Sequence, residues 1–200
     1  MRIGLISDTH IPEARQELWP QVFTAFRGVD AILHAGDIHH PAVIRQLSSV
    51  AATYAVRGNG EEGSGGRHVY PCLKSLPEAR LLEFEGLLLG ITHAIPMPED
   101  FPPQTVHGAM HRYFGRTDLD ALIYGDTHVE AIDVVGKTLC VNPGSPTFPH
   151  NLMTQLGTIG FLEVRGGRFE AGIWQLTEHG IVPFGWGERD PNRNGRASRR

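Results

Sequence analysis

Five short motifs punctuate the chain, each where an apolar run ends: Asp8-Thr9-His10, Gly36-Asp37, Gly58-Asn59, Thr92-His93 and Gly125-Asp126-Thr127-His128. Every one puts an Asp, Asn or His where a strand would hand over to a loop. Asp8, His10, Asp37, Asn59, His93, Asp126 and His128 together offer oxygen and imidazole donors. That set exceeds what one tetrahedral ion takes and suits two ions that share a bridging carboxylate. Paired ions are apparatus for in-line attack on phosphorus by a bridging hydroxide. The chemistry expected is hydrolysis of a phosphate ester.

Each motif has a plainer reading when it stands alone. Asp8 and His10 are two residues apart, so an extended segment turns both side chains to one side, where they can chelate one ion. In isolation they would read as a Ser-Asp-Thr turn beside an exposed His. The Gly before Asp37 lets the backbone turn tightly. Asn59-Gly60 is a common turn dipeptide, and only the other motifs favour Asn59 as a ligand. A single His such as His93 at the end of a buried strand is ordinarily structural. His39 and His40 are expected to lie exposed at a helix start, the alternative being that one faces phosphate as an acid. His107 and His111 are four apart on an expected helix, with no third ligand nearby, and read as a solvated face. His34, His68 and His179 carry no pattern.

The elements that must position these groups follow from hydrophobic periodicity. Residues 2–7 form an apolar run suited to a buried strand. A helix is expected to open at Pro12-Glu13 and reach about Phe26, with Leu18, Val22 and Phe26 on one face. A strand at 31–35, a helix at 41–48 with Pro41 at its first position, and a strand at 53–57 come next. Such strand-to-helix units imply parallel strands with right-handed crossovers. In open sheets of this kind ligands gather outside the carboxyl ends, which puts Asp8, Asp37 and Asn59 on one rim. Residues 61–67, rich in Gly and Ser, read as a loop over that rim. A hairpin is expected at 79–84 and 87–92 around Glu85-Gly86, then a proline-rich loop at 96–103 and a helix at 105–114. Further strands are expected at 122–124, 132–135, 138–141, 157–164 and 168–175.

Two hundred residues suit one domain, expected to span 1–186. Residues 187–200 read as a basic, disordered tail, with five Arg against Glu188 and Asp190. The net charge is −4, so the body without that tail is more acidic still. Nucleic-acid binding through surface charge is therefore not indicated. No apolar run approaches the ~20 residues of a membrane span, and the first apolar run is too short for a signal peptide. Cys72 and Cys140 lack CxxC spacing, so two reduced thiols and a cytoplasmic location are expected.

D-x-H, then GD, GN, a lone H and G-x-x-H, in that order, resembles the calcineurin-like metallophosphoesterase superfamily. The compact length and Asn142-Pro143-Gly144-Ser145 are similar to its small bacterial and archaeal phosphodiesterase branch. The resemblance runs from Met1 to about residue 175 and implies an α/β fold, a four-layer αββα sandwich of two mixed β-sheets flanked by helices. It further implies that Asp8, His10, Asp37 and His128 hold a first divalent metal ion, and that Asp37, Asn59, His93 and Asp126 hold a second. Asn59 and His93 would also act catalytically beside the phosphate. Glu61 would orient a ligand.

Three positions depart from the family pattern. Asp126 stands where His is usual, and its hard oxygen shifts the expected metal toward Mn²⁺, with Fe, Zn, Ni or Mg as alternatives. Gly60 stands where larger phosphatases carry His and small phosphodiesterases often carry Cys. His150 stands where Arg is frequent. The reading is a metal-dependent phosphodiesterase with a dinuclear site, acting on a small phosphate ester. A phosphomonoesterase and a weakly catalytic protein-interaction scaffold, as in a retromer subunit of this fold, are the alternatives. Self-association as a homo-oligomer stays open.

Overall fold

The computed structural model describes residues 1–151 and 156–186. The first half alternates short buried strands with helices: β1 (Arg2–Ile6), α1 (Pro20–Ala25), β2 (Ala31–His34), α2 (Pro41–Ser48) and β3 (Ala52–Ala55). Two 3₁₀ turns, Gly60–Glu62 and Ser64–Gly66, lead to α3 (Pro71–Lys74). Then come β4 (Ala79–Phe84), β5 (Leu87–Thr92), α4 (Pro103–Phe114), β6 (Ala121–Ile123), β7 (Glu130–Val135) and β8 (Thr138–Pro143). The chain closes through β9 (Thr158–Arg165), β10 (Arg168–Thr177) and β11 (Gly180–Pro183).

The strands make two mixed sheets, ordered β11-β10-β9-β1-β2-β3 and β4-β5-β6-β8-β7. β1, β2 and β3 pair in parallel, while β9 runs antiparallel to β1. In the second sheet β5, β6 and β8 are parallel, with β4 and β7 antiparallel at the edges. Ile3, Leu5, Leu33, Leu89, Ile91, Ile123 and Val141 are fully buried where the sheets face each other. Each such side chain contributes about 1.5–3 kcal/mol by leaving water. Val22, Phe26, Val43, Leu47 and Leu73 pack the first three helices on the outer face of the first sheet. Val106 and Met110 of α4 cover the second sheet beside Leu122 and Tyr124. The result is the expected α/β/β/α layering.

One local expectation is corrected. The helix expected from residue 12 begins only at Pro20, because a proline has no N–H to donate and clashes with a preceding helical turn. Leu18 is nevertheless buried beside Val22 and Phe26, so the apolar spacing marked the core without marking a helix. The short elements α3 and β11 were not foreseen. The expected basic tail at 187–200 lies outside the described residues.

What matters for the site is direction. The parallel strands β1, β2, β3, β5 and β6 all end at one rim, and each hands over there to one of the five motifs. The two sheets are tied across that rim: His93 Nδ1 lies 2.7 Å from Ala35 O, and Asp126 N–H donates to the Asp8 carboxylate at 3.1 Å.

Candidate metal centre

Asp37 stands at the centre of the rim. Its Oδ2 lies 3.3 Å from His10 Nε2, and its Oδ1 lies 3.4 Å from His93 Nε2. Asp8 Oδ1 lies 3.5 Å from His128 Nε2 and 4.0 Å from His93 Nε2. On the other side, His93 Nε2 is 3.2 Å from Asn59 Oδ1 and 3.5 Å from Asp126 Oδ1. All seven residues singled out from the sequence therefore meet in one cleft. Asp8, His10, Asp37, His93 and His128 are buried, whereas Asn59 is exposed and the Asp126 side chain is 50% exposed.

The donor set fits divalent cations. Donor atoms of Asp8, His10 and His128, and those of Asp8, Asp37 and His93, lie within 4.8 Å of one another in each group. His10 Nε2 is buried with no hydrogen-bond partner. His93 and His128 each turn Nδ1 to a backbone carbonyl, of Ala35 and Phe148, both at 2.7 Å. With an ion present Nδ1–H would donate there and leave the Nε2 lone pair for the metal, the arrangement of metal-bound histidines. Without one, burial pushes His93 down, but the Asp8 and Asp37 charges outweigh it and raise it. Burial pushes Asp8 up to about 7, with the Asp37 charge adding to it against the attraction of His93. A cation would relieve that cost. For Asp37 burial also opposes ionisation, but the nearby His10 and His39 imidazoles and the charge of His93 outweigh it and hold its carboxyl well below the usual range. Burial pushes His128 down to about 4, which keeps it neutral.

Asp8, His10, Asp37, Asp126 and His128 all have positive φ, between 43° and 70°. Each such residue costs on the order of 1 kcal/mol, so the surrounding contacts must hold it. Glu61 is the main support. Its carboxylate accepts from the N–H groups of Asp37 (3.0 Å), Ile38 (2.9 Å), His39 (2.8 Å) and Gly58 (2.7 Å). The Asn142-Pro143-Gly144-Ser145 stretch is a second support. Ser145 Oγ donates to Asp8 O at 2.7 Å and Asn142 Nδ2 to Gly125 O at 2.9 Å. Glycines precede Asn59 and Asp126 because the loops touch there. A Cβ at Gly58 would overlap Asp37 Oδ1 and lie 2.8 Å from His93 Cδ2, and one at Gly125 would lie 2.6 Å from Asp8 Oδ2.

Several residues differ from the sequence reading. His39 was expected to be exposed and is 5% exposed, its Nδ1 2.9 Å from Glu13 Oε2. Its burial depends on a loop from elsewhere in the chain, which local spacing cannot reveal. His40 instead caps α2, its Nδ1 accepting from Ala42 N–H at 3.2 Å. His34 is fully buried, 3.1 Å from Thr9 Oγ1, and burial pushes it down to about 3, so it buttresses the first motif as a neutral ring. Nothing in β2 distinguishes it from an ordinary strand residue. His150 stacks on His128 with ring centres 4.3 Å apart. His107 and His111 lie partly or fully exposed on α4, as expected.

A cavity of about 170 Å³ opens beside Asn59, His93 and Asp126. Arg57, Glu62, Glu78 and Tyr113 also line it. Arg57 is already held, with Nε 3.0 Å from Glu62 Oε1 and a second nitrogen 2.8 Å from Leu76 O.

Residues 1–167 match the calcineurin-like phosphoesterase superfamily domain. The chain belongs to that superfamily. A probable metallophosphoesterase of Methanothermobacter thermautotrophicus is 37% identical over 150 residues, covering 74% of this chain and 79% of the relative. A second probable metallophosphoesterase, from Methanocaldococcus jannaschii, is 32% identical over 149 residues, 74% of this chain and 70% of its own length. Among solved structures, Chaetomium thermophilum Vps29 has the same fold, with a TM-score of 0.69 at 21% identity over 91% of this chain and 93% of that one. Entamoeba histolytica Vps29, solved in complex with zinc, superposes with a TM-score of 0.65 at 20% identity over 91% of this chain and 96% of that one.

Proposed function

We propose that this chain is a metal-dependent phosphodiesterase with a dinuclear site. The observation that carries the reading is Asp37, whose two carboxylate oxygens face different imidazoles, His10 on one side and His93 on the other. In this reading Asp8, His10, Asp37 and His128 hold a first ion, and Asp37, Asn59, His93 and Asp126 hold a second, with Mn²⁺ favoured by the oxygen-rich second set. When bound, the ions supply hydroxide near neutral pH and positive charge for the phosphoryl oxygens. The protein's own part is orientation. The Ala35 carbonyl fixes the His93 ring, and Asn59 presents its amide at the open side, where a phosphoryl oxygen can approach. Gly60 has no side chain to protonate a leaving group, so the proton comes from solvent or the leaving group is a weak base.

Charge favours a diester over a monoester. Among the described residues lining the cavity, Arg57 is the one Lys or Arg, and it is paired with Glu62 while Glu78 stands nearby. A diester brings one negative charge into that acidic surround, and a monoester brings up to two. Among the described residues no helix is long and apolar enough to cross a membrane. Cys72 and Cys140 are both free thiols, which suits a reducing cytoplasm. We read residues 1–186 as one domain.

The test is an activated aryl phosphodiester beside the matching monoester, assayed on metal-stripped protein with and without Mn²⁺. The expected result is no activity without metal, restoration by Mn²⁺ and preference for the diester. Full activity in stripped protein would sink the reading. The Vps29-like fold and the exposed Asp126 support a second reading, a metal-binding scaffold with little turnover. Two bound metals with no hydrolysis of either ester would favour it.

A further inference from the structure

The motif Asp-x-His occurs three times at the rim: Asp8-Thr9-His10, Asp37-Ile38-His39 and Asp126-Thr127-His128. All three share one unusual backbone form. Both outer residues of each have positive φ: 53° and 43°, 53° and 66°, 70° and 58°. Among the described non-glycine residues, Glu85 in the β4–β5 turn is the one other at positive φ. The three imidazoles converge, with the His10 ring centre 4.2 Å from that of His39 and 4.7 Å from that of His128. His39 is thus the structural counterpart of His10 and His128, placed by the same local device.

Its atoms point the same way. His39 Nδ1 is 2.9 Å from Glu13 Oε2, a carboxylate that fixes the ring as the backbone carbonyls fix His93 and His128. Nε2 is buried with no hydrogen-bond partner and lies 3.8 Å from Asp37 Oδ2. Donor atoms of His10, Asp37 and His39 lie within 4.8 Å of one another. Donors about 2.1 Å from one ion sit roughly 3–4 Å apart, so the spacing suits shared ligation. The ring reaches this place because Gly60 has no side chain. A Cβ there would overlap His39 Nε2 and fall 2.5 Å from His39 Cδ2.

We propose that His39 is a metal ligand, the third imidazole of a repeated Asp-x-His element, and that Gly60 is the residue that makes room for it. The proposal rests on the metal-centre reading above and deepens it. Glu13 acts through His39 as a positioning residue. The absence of a side chain at position 60 and the burial of the histidine beside Asp37 become one arrangement.

The test uses Co²⁺ as probe on the metal-stripped full chain, followed by calorimetry and by visible absorption, which reports ligand number and type. Wild type is expected to bind Co²⁺ in the cleft. His39→Ala should bind one Co²⁺ about tenfold to a hundredfold more weakly, with an altered spectrum that added imidazole restores. His39→Gln, which keeps the bulk but not the imidazole donor, should show the same loss and serves where the alanine variant does not fold. Glu13→Gln should weaken binding less. Gly60→Ala should mimic His39→Ala, yet add nothing in the His39→Ala background. An unchanged spectrum and unchanged affinities in His39→Ala or His39→Gln would overturn the ligand assignment. Equal weakening by Gly60→Ala in both backgrounds would overturn the claim about room, because the methyl would then act through Asp37 Oδ1, 3.1 Å from the added Cβ. Wild type that binds no Co²⁺ would instead refute the underlying metal reading, a result distinct from either.

Discussion

The two sides of the cleft are built differently. The side of Asp8, His10 and His128 is buried, ringed by Phe148 and His150, and backed by Ser145 and His34. The side of Asn59 and Asp126 is open, beside a cavity that Arg57, Glu62, Glu78 and Tyr113 also line. His93 and Asp37 stand between them. Donors held by packing and hydrogen bonds lose little freedom when they bind an ion, whereas exposed donors must be ordered at that moment. On the proposed two-ion reading, the buried side is then expected to be the tighter and more selective one, and the open side the one where an ion exchanges and substrate approaches.

Four experiments break or sharpen this contrast. Asp37 serves both sides, so Asp37→Ala should lower turnover by about a thousandfold or more, the scale expected when ~4 kcal/mol of transition-state stabilisation is lost. Metal analysis should show fewer bound ions, and a near-normal rate with two ions bound would refute the central role of Asp37. Asp8→Ala should cost about a hundredfold. It removes a fully buried donor and the acceptor for Asp126 N–H, so the tighter of two binding steps should disappear from a Mn²⁺ titration. Loss of the weaker step alone would reverse the assignment of sides.

Asp126→Ala should cost about tenfold, or ~1.4 kcal/mol, with the weaker Mn²⁺ step affected and the tighter one intact. Wild-type metal content and rate in this variant would remove Asp126 from the ligand set and strengthen the scaffold reading. The smallest effect belongs to Asp126→His. The half-exposed position has room for a ring, so activity should stay within about threefold while preference moves toward Zn²⁺ or Co²⁺. Rates compared across metals decide it, and an unchanged order of metals would mean that the side chain at 126 does not set the preference.

The chain made its rim legible because each motif sits where a buried strand stops. Buried runs such as Ile3–Ile6 and Ala121–Ile123 can only be strand interiors here, and the polar residue that follows must lie at a strand end. All seven motif residues were found this way and do converge. What stayed hidden depends on contacts between distant segments. His39 follows Asp37 and precedes Pro41, which locally reads as an exposed helix start; only the loop carrying Gly60 encloses it. Glu13 was assigned to a helix that Pro20 forbids, so its reach to His39 could not be anticipated. Glu61 was read as a supporting acid, but the number of backbone groups it gathers is a property of two loops meeting.

Glu61 has a consequence for substrate recognition. Clustered backbone N–H groups at a loop are a common seat for phosphate oxygens. In this protein such a seat exists at residues 37–39 and 58, and the chain's own carboxylate already fills it. Those four amides have no capacity left for a ligand anion. On the proposed reading, a phosphate ester would be gripped by other groups of the cleft, Asn59 and the bound cations among them. The loop that forms the floor of the cleft is neutralised from within, like an anion site closed by a built-in plug.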